Sequence, residues 1–229
     1  MLFESEFIGR ASGSVGSLVF SHNAGGPYIR SKGMTTNPNT PQQQTVRALL
    51  AQLTSLWVNT LSLGDRQKWI DYAANVQVPN RLGAMRNVSG LNMYIRSNVP
   101  LIQAGFARQD VAPAIFDLGD FTAPTAIADA PSLVLAVSFA GTDEWVGEDD
   151  AGMLIYISRQ QNRSINFFKG PYQFAGSIDG DATTPPTSPV LIPAPFAMTD
   201  GNRVFWRAQV IRADGRLSAD VKLPAAITS

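Results

Sequence analysis

The alternation of apolar and polar positions predicts a β-hairpin close to the start of the chain. Two short apolar runs, at residues 17–20 and 28–30, flank a His-Asn-Ala-Gly-Gly segment at residues 22–26. Asn and Gly are the residues that tight loops between antiparallel strands require. An isolated two-stranded hairpin is only marginally stable in water, so we expect this one to pack against another part of the chain or against another subunit.

A helical periodicity follows the hairpin. Apolar residues recur at spacings of three and four between residues 46 and 61, which predicts one amphipathic helix. The Thr-Pro-Gln-Gln segment at residues 40–43 supplies an N-cap, a proline at the first helical position and a capping box. A second capping-box spacing at residues 62–65 opens another helix that should stop by Pro79. Together these signals predict an antiparallel helical hairpin.

A third helix and a linker are expected next. Ser89 can cap this helix, which Pro100 should end or kink. Residues 106–121 belong to a stretch rich in Ala, Pro, Asp and Gly, which is typical of a linker. We therefore divide the chain into an N-terminal assembly or anchoring region at residues 1–105, a linker at 106–121 and a second domain at 122–229.

From about residue 122 the period of the apolar positions changes to two, which indicates strands. The runs lie at residues 132–139, 152–158, 172–178, 189–195, 202–212 and 216–223, and Asp-Gly turn dipeptides stand at 200–201 and 214–215. Six or seven short strands predict an antiparallel β-sandwich of the immunoglobulin or fibronectin type III kind, and the lack of cysteine favours the fibronectin label. Trp145 or Trp206 should be a core residue. The predicted fold class is α+β.

Composition excludes several kinds of chemistry. The chain has no cysteine and a single histidine, His22, so thiolate metal sites and cysteine nucleophiles are excluded and any Ser-His pair must use His22. The formal net charge is zero, and charged residues make up only 16% of the chain. The bulk charge therefore gives no reason to expect binding to nucleic acid or to an anionic membrane.

The remaining candidate sites are weak. The acidic run at residues 143–150 has oxygen ligands for calcium but lacks EF-hand spacing, which favours a solvated loop between strands. Residues 12–16 superficially resemble a phosphate-binding loop without its Lys-Ser/Thr ending. Arginines and aromatic residues occur together in the first hundred residues, as they do on nucleic-acid-binding surfaces. However, Trp57 and Trp69 fall on apolar helix faces, where packing is the stronger expectation. We expect no metal, no cofactor and no enzymatic activity.

The order of motifs in the first hundred residues is distinctive. A glycine-rich opening precedes a Val-Phe strand, an Ile-Arg strand, an Asn-Pro-x-Thr-Pro-x-Gln helix entry and an Arg-x-x-Trp helix hairpin. The motif positions are residues 16–20, 28–31, 37–42, 66–69 and 89–94, with Arg47 and Trp57. In this order and spacing the chain resembles a family of proteins encoded by phages and prophages. The resemblance implies a structural or particle-associated phage protein, and it transfers no activity to individual residues.

We therefore expect a non-enzymatic bacteriophage virion protein, made in the host cytoplasm. A minor capsid or decoration protein is favoured over a neck or tail component, and the expected partners are major capsid or neck and tail subunits, with several copies per particle and no membrane or nucleic acid. Strand addition to a partner's sheet edge would use the glycine-rich arm at residues 9–20 and the strand at 28–30. The expected interface residues are Gly13, Gly16, Leu18, Phe20, Tyr28, Ile29 and Arg30.

Two alternatives from other classes stay open. A carbohydrate-binding or host-surface-binding module would need an exposed aromatic platform, for example at Tyr172, Phe174 or Phe168. A glycan hydrolase would need two carboxylates facing one cleft. The acidic residues of this chain fall mostly in predicted turns, which argues against the hydrolase.

Overall fold

The computed structural model describes residues 12–23, 25–33, 37, 39–80 and 83–228. Within these ranges the fold is α+β, with three α-helices and several sheets whose strands are mostly antiparallel. This agrees with the fold class expected from the sequence. None of the described helices combines the length and apolar character that crossing a membrane requires.

The first sheet has three strands, β1 (Gly13–Val15), β2 (Leu18–Asn23) and β3 (Gly26–Ser31), in the order β1-β2-β3. The predicted hairpin is confirmed as β2 and β3. The additional strand β1 comes from the glycine-rich arm, whose residues 13–15 pair with β2 of the same chain. Gly16, with φ of +56°, makes this two-residue turn possible. The first part of the arm, residues 9–11, and the residues before it lie outside the described residues.

The three helices begin where their capping residues predict. They are α1 (Pro41–Asn59), α2 (Leu63–Asn75) and α3 (Gly90–Ala104), with N-caps at Thr40, Ser62 and Ser89. Between α2 and α3, the two-residue strands β4 (Val78–Pro79) and β5 (Met85–Arg86) pair with each other. Of the two outcomes expected at Pro100, an end or a kink, the end is wrong, because the third helix continues through this residue. Proline removes one hydrogen bond from the helix, but its ring is buried and the helix continues to Gly105, whose φ is +88°.

The larger sheet is built from seven strands within residues 125–228, in the order β10-β7-β6-β12-β11-β8-β9. Their bounds are β6 (Thr125–Asp129), β7 (Val134–Ser138), β8 (Gly152–Ile157), β9 (Gln173–Asp179), β10 (Val190–Pro193), β11 (Arg203–Ile211) and β12 (Val221–Thr228). All neighbouring strands are antiparallel except β12 and β6, which pair in parallel at Ile227 and Ala128. Five of the six predicted strands correspond to β7 through β11.

Strands β6 and β12, the first and last of this sheet in chain order, differ from the prediction. Thr125–Asp129 was not assigned as a strand, because its alanines carry little strand preference. The predicted strand at 216–223 is wrong in its first half: residues 216–218 fold back onto the end of β11, where the Ser218 N–H donates to the Val210 carbonyl at 2.9 Å. The strand proper starts only at Val221 and continues past Pro224.

Strand β8 is buried along its whole length because it is covered on both faces. One face, with Met153 and Ile155, belongs to the main core, which also holds Trp145 and Trp206; both tryptophans are buried, as expected. The other face, with Leu154 and Tyr156, lies in a smaller core with Leu101 of α3. The other buried members of the smaller core are Ile211 and Leu217. Helix α3 therefore packs directly on the outer face of the sheet.

The segment predicted as a linker lies against the helices. The Trp69 indole N–H donates to the Asp110 carbonyl at 2.9 Å, and the Tyr72 hydroxyl donates to the Asp117 carbonyl at 2.7 Å. The buried Asn98 side chain bonds the backbone of Gln109 twice, donating to its carbonyl at 3.0 Å and accepting from its N–H at 2.8 Å. Residues 106–121 contain no helix or strand, and these hydrogen bonds hold them on α2 and α3.

Candidate assembly interface

The register of the three-stranded sheet sorts its side chains onto two faces. Val15 pairs with Leu18, and Phe20 pairs with Ile29, so these four side chains share one face. Gly13 stands opposite Phe20 on the same face and adds no side chain there. The sheet therefore has one predominantly apolar face, which we call the apolar sheet face and define by Val15, Leu18, Phe20 and Ile29.

The apolar sheet face belongs to none of the buried cores in the described part of the chain. Val15 is 70% exposed and Leu18 43% exposed, whereas Phe20 and Ile29 are half-buried. The buried clusters take their residues from the helical region, from residues 106–121 and from the larger sheet with its loops. Exposed apolar surface of this kind is the usual mark of an interaction site.

The seven residues expected at the interface do not form one surface. Leu18, Phe20 and Ile29 lie on the apolar sheet face, but Tyr28 and Arg30 point to the opposite face, because they alternate with Ile29 along β3. Gly13 and Gly16 act through the backbone, with φ of +112° and +56°. Val15, the most exposed apolar residue of the sheet, is not among the seven; its pairing with Leu18 places it on the apolar sheet face.

The helix motifs that carry the family resemblance have structural roles. The Arg47 guanidinium donates to the side-chain oxygens of Asn37, at 2.8 Å, and Asn39, at 3.1 Å, which fixes the entry to α1. Arg66 donates to the Val58 and Leu61 carbonyls at 2.9 and 3.0 Å, satisfying the end of α1. Trp69 is fully buried. These motif positions thus fix the two ends of α1 and the core beside α2. The expected antiparallel pairing of α1 with α2 is wrong, because both helices pack mainly on α3.

The acidic run at residues 143–150 is engaged by protein groups. The Arg212 guanidinium bonds both Glu144, at 2.9 Å, and Glu148, and Thr122 donates its hydroxyl to Asp143 at 2.7 Å. Among the described residues, no grouping of three histidine, cysteine, aspartate or glutamate side chains is arranged to hold a metal ion. The run is thus tied to the residue that follows β11 and to residues before β6, while the Glu144 side chain stays 81% exposed.

A second arginine network joins the larger sheet to the segment before it. Arg216, whose side chain is 9% exposed, bonds the carboxylates of Asp117 and Asp214, both at 2.7 Å. The hydrogen bond from Arg216 lowers the pKa of Asp117.

His22, the single histidine of the chain, lies exposed on β2.

The aromatic residues proposed for a carbohydrate platform separate in the structure. Phe168 and Tyr172 line a groove of about 680 Å³ between the start of α1 and the larger sheet. Phe174 does not line this groove and packs edge-on against Tyr156, with ring centroids 5.4 Å apart. Thr40, Gln43, Val46, Arg47, Arg159, Gln161, Pro171, Gln173 and Phe196 complete the groove.

The structure also brings three arginines together around one cavity, which the sequence did not predict. Arg86, Arg96 and Arg207 line one cavity although they come from β5, α3 and β11. Sequence reasoning treated Arg86 and Arg96 only as members of a basic N-terminal region. Arg207 alternates with buried residues along β11, which was the one available signal for a polar group at the sheet surface facing the helices.

Comparison of the chain with family models, with curated proteins and with solved structures finds no match. The resemblance of the first hundred residues to phage-encoded proteins therefore stays a prediction. The candidate interface rests on the register, exposure and contacts of its own residues.

Proposed function

We propose that this protein is a non-enzymatic structural component of a bacteriophage particle and binds other particle subunits through the apolar sheet face. The observation that carries the proposal is the exposure of Val15 and Leu18 on a sheet whose residues join none of the described buried cores. Burying such side chains against a partner is favourable in proportion to the apolar area removed from water. A net charge of zero adds no general repulsion between copies.

The sequence resemblance supplies the particle context. The arginine and tryptophan motifs of the helices make contacts within the chain, whereas the sheet motif leaves Val15 and Leu18 exposed on one face, which supports the sheet as the surface for a partner. We favour a minor capsid or decoration protein present in several copies in the virion. A neck or tail component is the alternative position on the particle.

We further propose that residues 122–229 form a β-sandwich of the fibronectin type III kind, which would project from the particle or cover a neighbouring subunit. In this arrangement β10-β7-β6 is one layer and β9-β8-β11-β12 is the other. The main core draws residues from both sets, including Leu135 and Ile192 from one and Ile155 and Trp206 from the other. A side-chain carbon added at Gly176 of β9 would lie 3.5 Å from Ile192 of β10, so the two ends of the strand order face each other.

Immunogold electron microscopy tests the particle assignment. Antibody against this chain would be applied to virus-sized particles purified from a lysate of the source organism. Label over the whole head is expected for a decoration or capsid role, and label at one vertex or along the tail would move the protein to the neck or tail. Unlabelled particles, with the chain left in the soluble fraction, would overturn the proposal.

Substitution of the apolar sheet face tests the interface itself. Leu18→Ser should reduce incorporation into particles roughly tenfold or more, because it removes an apolar contact from the centre of the proposed interface. The matched control is Leu191→Ser on β10, where the leucine is 61% exposed and lies far from β2 in the chain. Incorporation would be measured by immunoblotting of purified particles, with circular dichroism to confirm folding. Equal incorporation of both variants would exclude this face.

The groove beside α1 favours carbohydrate binding as a second candidate function. Phe168 and Tyr172, with ring centroids 5.4 Å apart, share it with the planar side-chain amides of Gln43, Gln161 and Gln173. Aromatic surface combined with a few convergent polar groups is typical of small-molecule sites. Binding of the full-length protein to host surface polysaccharide, weakened by Gln173→Ala, is the expected result. Polysaccharide that fails to bind the unmodified protein would remove this candidate.

A further inference from the structure

Three arginine side chains converge on one cavity between the helices and the larger sheet. Arg86 of β5, Arg96 of α3 and Arg207 of β11 line a space of about 460 Å³, which we call the arginine cavity. We infer that the arginine cavity binds an oxyanion, a carboxylate or phosphate group, of a small ligand. This inference is independent of the proposed role in a phage particle.

Arg96 brings a charge that no carboxylate neutralises by direct contact within the described residues. Its guanidinium donates to the backbone carbonyls of Leu217, at 2.9 Å, and Ser218, at 3.2 Å. These neutral acceptors fix the orientation of the side chain but leave its positive charge in place. Burial lowers the pKa of Arg96, which reflects the cost of keeping this charge away from water.

Arg207 adds a second charge that is only partly compensated. Its guanidinium carbon lies 4.1 Å from the centre of the Tyr156 ring, so the group is held flat against the sheet surface. Its nearest carboxylate, Asp220, is 3.9 Å away and pairs more closely with Lys222, at 2.9 Å. The buried Nε–H of Arg207 has no hydrogen-bond partner among the described residues.

Arg86 stands at the exposed rim of the arginine cavity. Its side chain reaches the loop between β2 and β3, since a side-chain carbon added at Gly25 would lie 3.3 Å from its Nη1 atom. Within the described residues, Arg86 makes no ion pair. It is therefore a cation that a ligand can contact without breaking an existing bridge.

The balance of charge and surface selects the ligand class. Asp220 is the single acidic residue lining the arginine cavity, against three arginines, so the cavity repels cations and attracts anions. Guanidinium groups match carboxylate and phosphate oxygens in paired hydrogen bonds, which water and chloride cannot reproduce. Apolar side chains form part of the wall and strengthen each electrostatic contact by excluding water; they are Val78, Val88 and Ile95.

Isothermal titration calorimetry on the full-length protein tests the inference, with inorganic phosphate and succinate as probes and chloride at constant ionic strength. We expect saturable binding of at least one probe at a single site. Tighter binding of phosphate would identify a phosphate-bearing ligand, and tighter binding of succinate a carboxylate ligand. Heats indistinguishable from dilution with both probes, at concentrations up to about 10 mM, would overturn the inference.

Substitutions that remove one positive charge show whether binding belongs to the arginine cavity. Arg86→Gln should weaken binding roughly tenfold or more, without changing the thermal melting temperature of the unliganded protein, because this side chain is exposed. The matched control, Arg163→Gln, makes the same charge change at an exposed position in the loop after β8 and should leave binding unchanged. Equal weakening by the two substitutions would show non-specific attraction and would contradict the inference.

Discussion

Gly180 occupies a position where a side chain has no room. A side-chain carbon there would lie 2.1 Å from the Trp145 carbonyl oxygen and 2.7 Å from that of Glu148, both backbone atoms that cannot rotate away. Gly180→Ala should lower the free energy of unfolding by about 2 kcal/mol or more, which urea denaturation would measure. Gly141→Ala is the control, since nothing lies within 4 Å of its added carbon. Comparable losses from both substitutions would contradict this account of the contact.

Two buried tyrosines connect the helical core to the pH dependence of stability. Burial raises the pKa of Tyr72 to about 12 and that of Tyr94 to about 12. The folded protein retains these phenolic protons above pH 10, where the unfolded chain loses them. Their contribution to stability is therefore complete below pH 10 and is lost as the pH rises towards 12.

We expect the free energy of unfolding to fall between about pH 10 and about pH 12, and to fall less steeply in Tyr72→Phe, which has one fewer buried phenol to titrate. Urea denaturation at several pH values, followed by tryptophan fluorescence, gives the two slopes. The neutral-pH stability of Tyr72→Phe is the reference for each comparison, because that variant also loses the hydrogen bond to the Asp117 carbonyl. Identical slopes for the two proteins would show that Tyr72 does not contribute.

Among the elements, α3 is the one that joins the two halves of the chain. Leu101 is fully buried where α3 meets β8 and β11. Leu101→Ala should cost about 2 to 5 kcal/mol of unfolding free energy, because it leaves a cavity between the helix and the sheet. Leu63→Ala, at a position 80% exposed on α2, should change it by less than about 0.5 kcal/mol. A small effect at Leu101, measured by chemical denaturation, would mean that the two layers do not depend on this contact.

The elements also show how far local sequence signals reach. Helix starts at Thr40, Ser62 and Ser89 were predictable, because a cap acts on the backbone within three residues. Strand β6 was not predictable from its own residues, because its Ala-rich sequence has little strand preference and is held as a strand by pairing with β7 and β12. The hairpin part of the candidate interface followed from its turn residues, but the sorting of side chains onto two faces needed the register. The arginine cavity depends on three elements distant in sequence, which no local pattern specifies.

At the scale of the whole molecule, the helical part and the larger sheet share a core. Separated at residue 122, the sheet would expose four apolar side chains that the helices cover in the intact chain: Leu154, Tyr156, Ile211 and Leu217. We expect the full chain to unfold in a single transition and the isolated 122–229 fragment to unfold at lower temperature. Differential scanning calorimetry compares them. A fragment that melts at the same temperature as the intact protein would show that the contact between the halves contributes nothing.

The position of β12 has a consequence for the order of events during translation. The strand lies between β6 and β11 in the sheet, yet five other strands are synthesised after β6 and before it within residues 125–228. While the ribosome is still adding these residues, β6 has an unpaired edge, and β11 gains one once it has been made; unpaired edges attract other chains. The nascent protein is thus exposed to premature strand pairing until β12 emerges, and a slow codon run just before residue 221 would lengthen that interval.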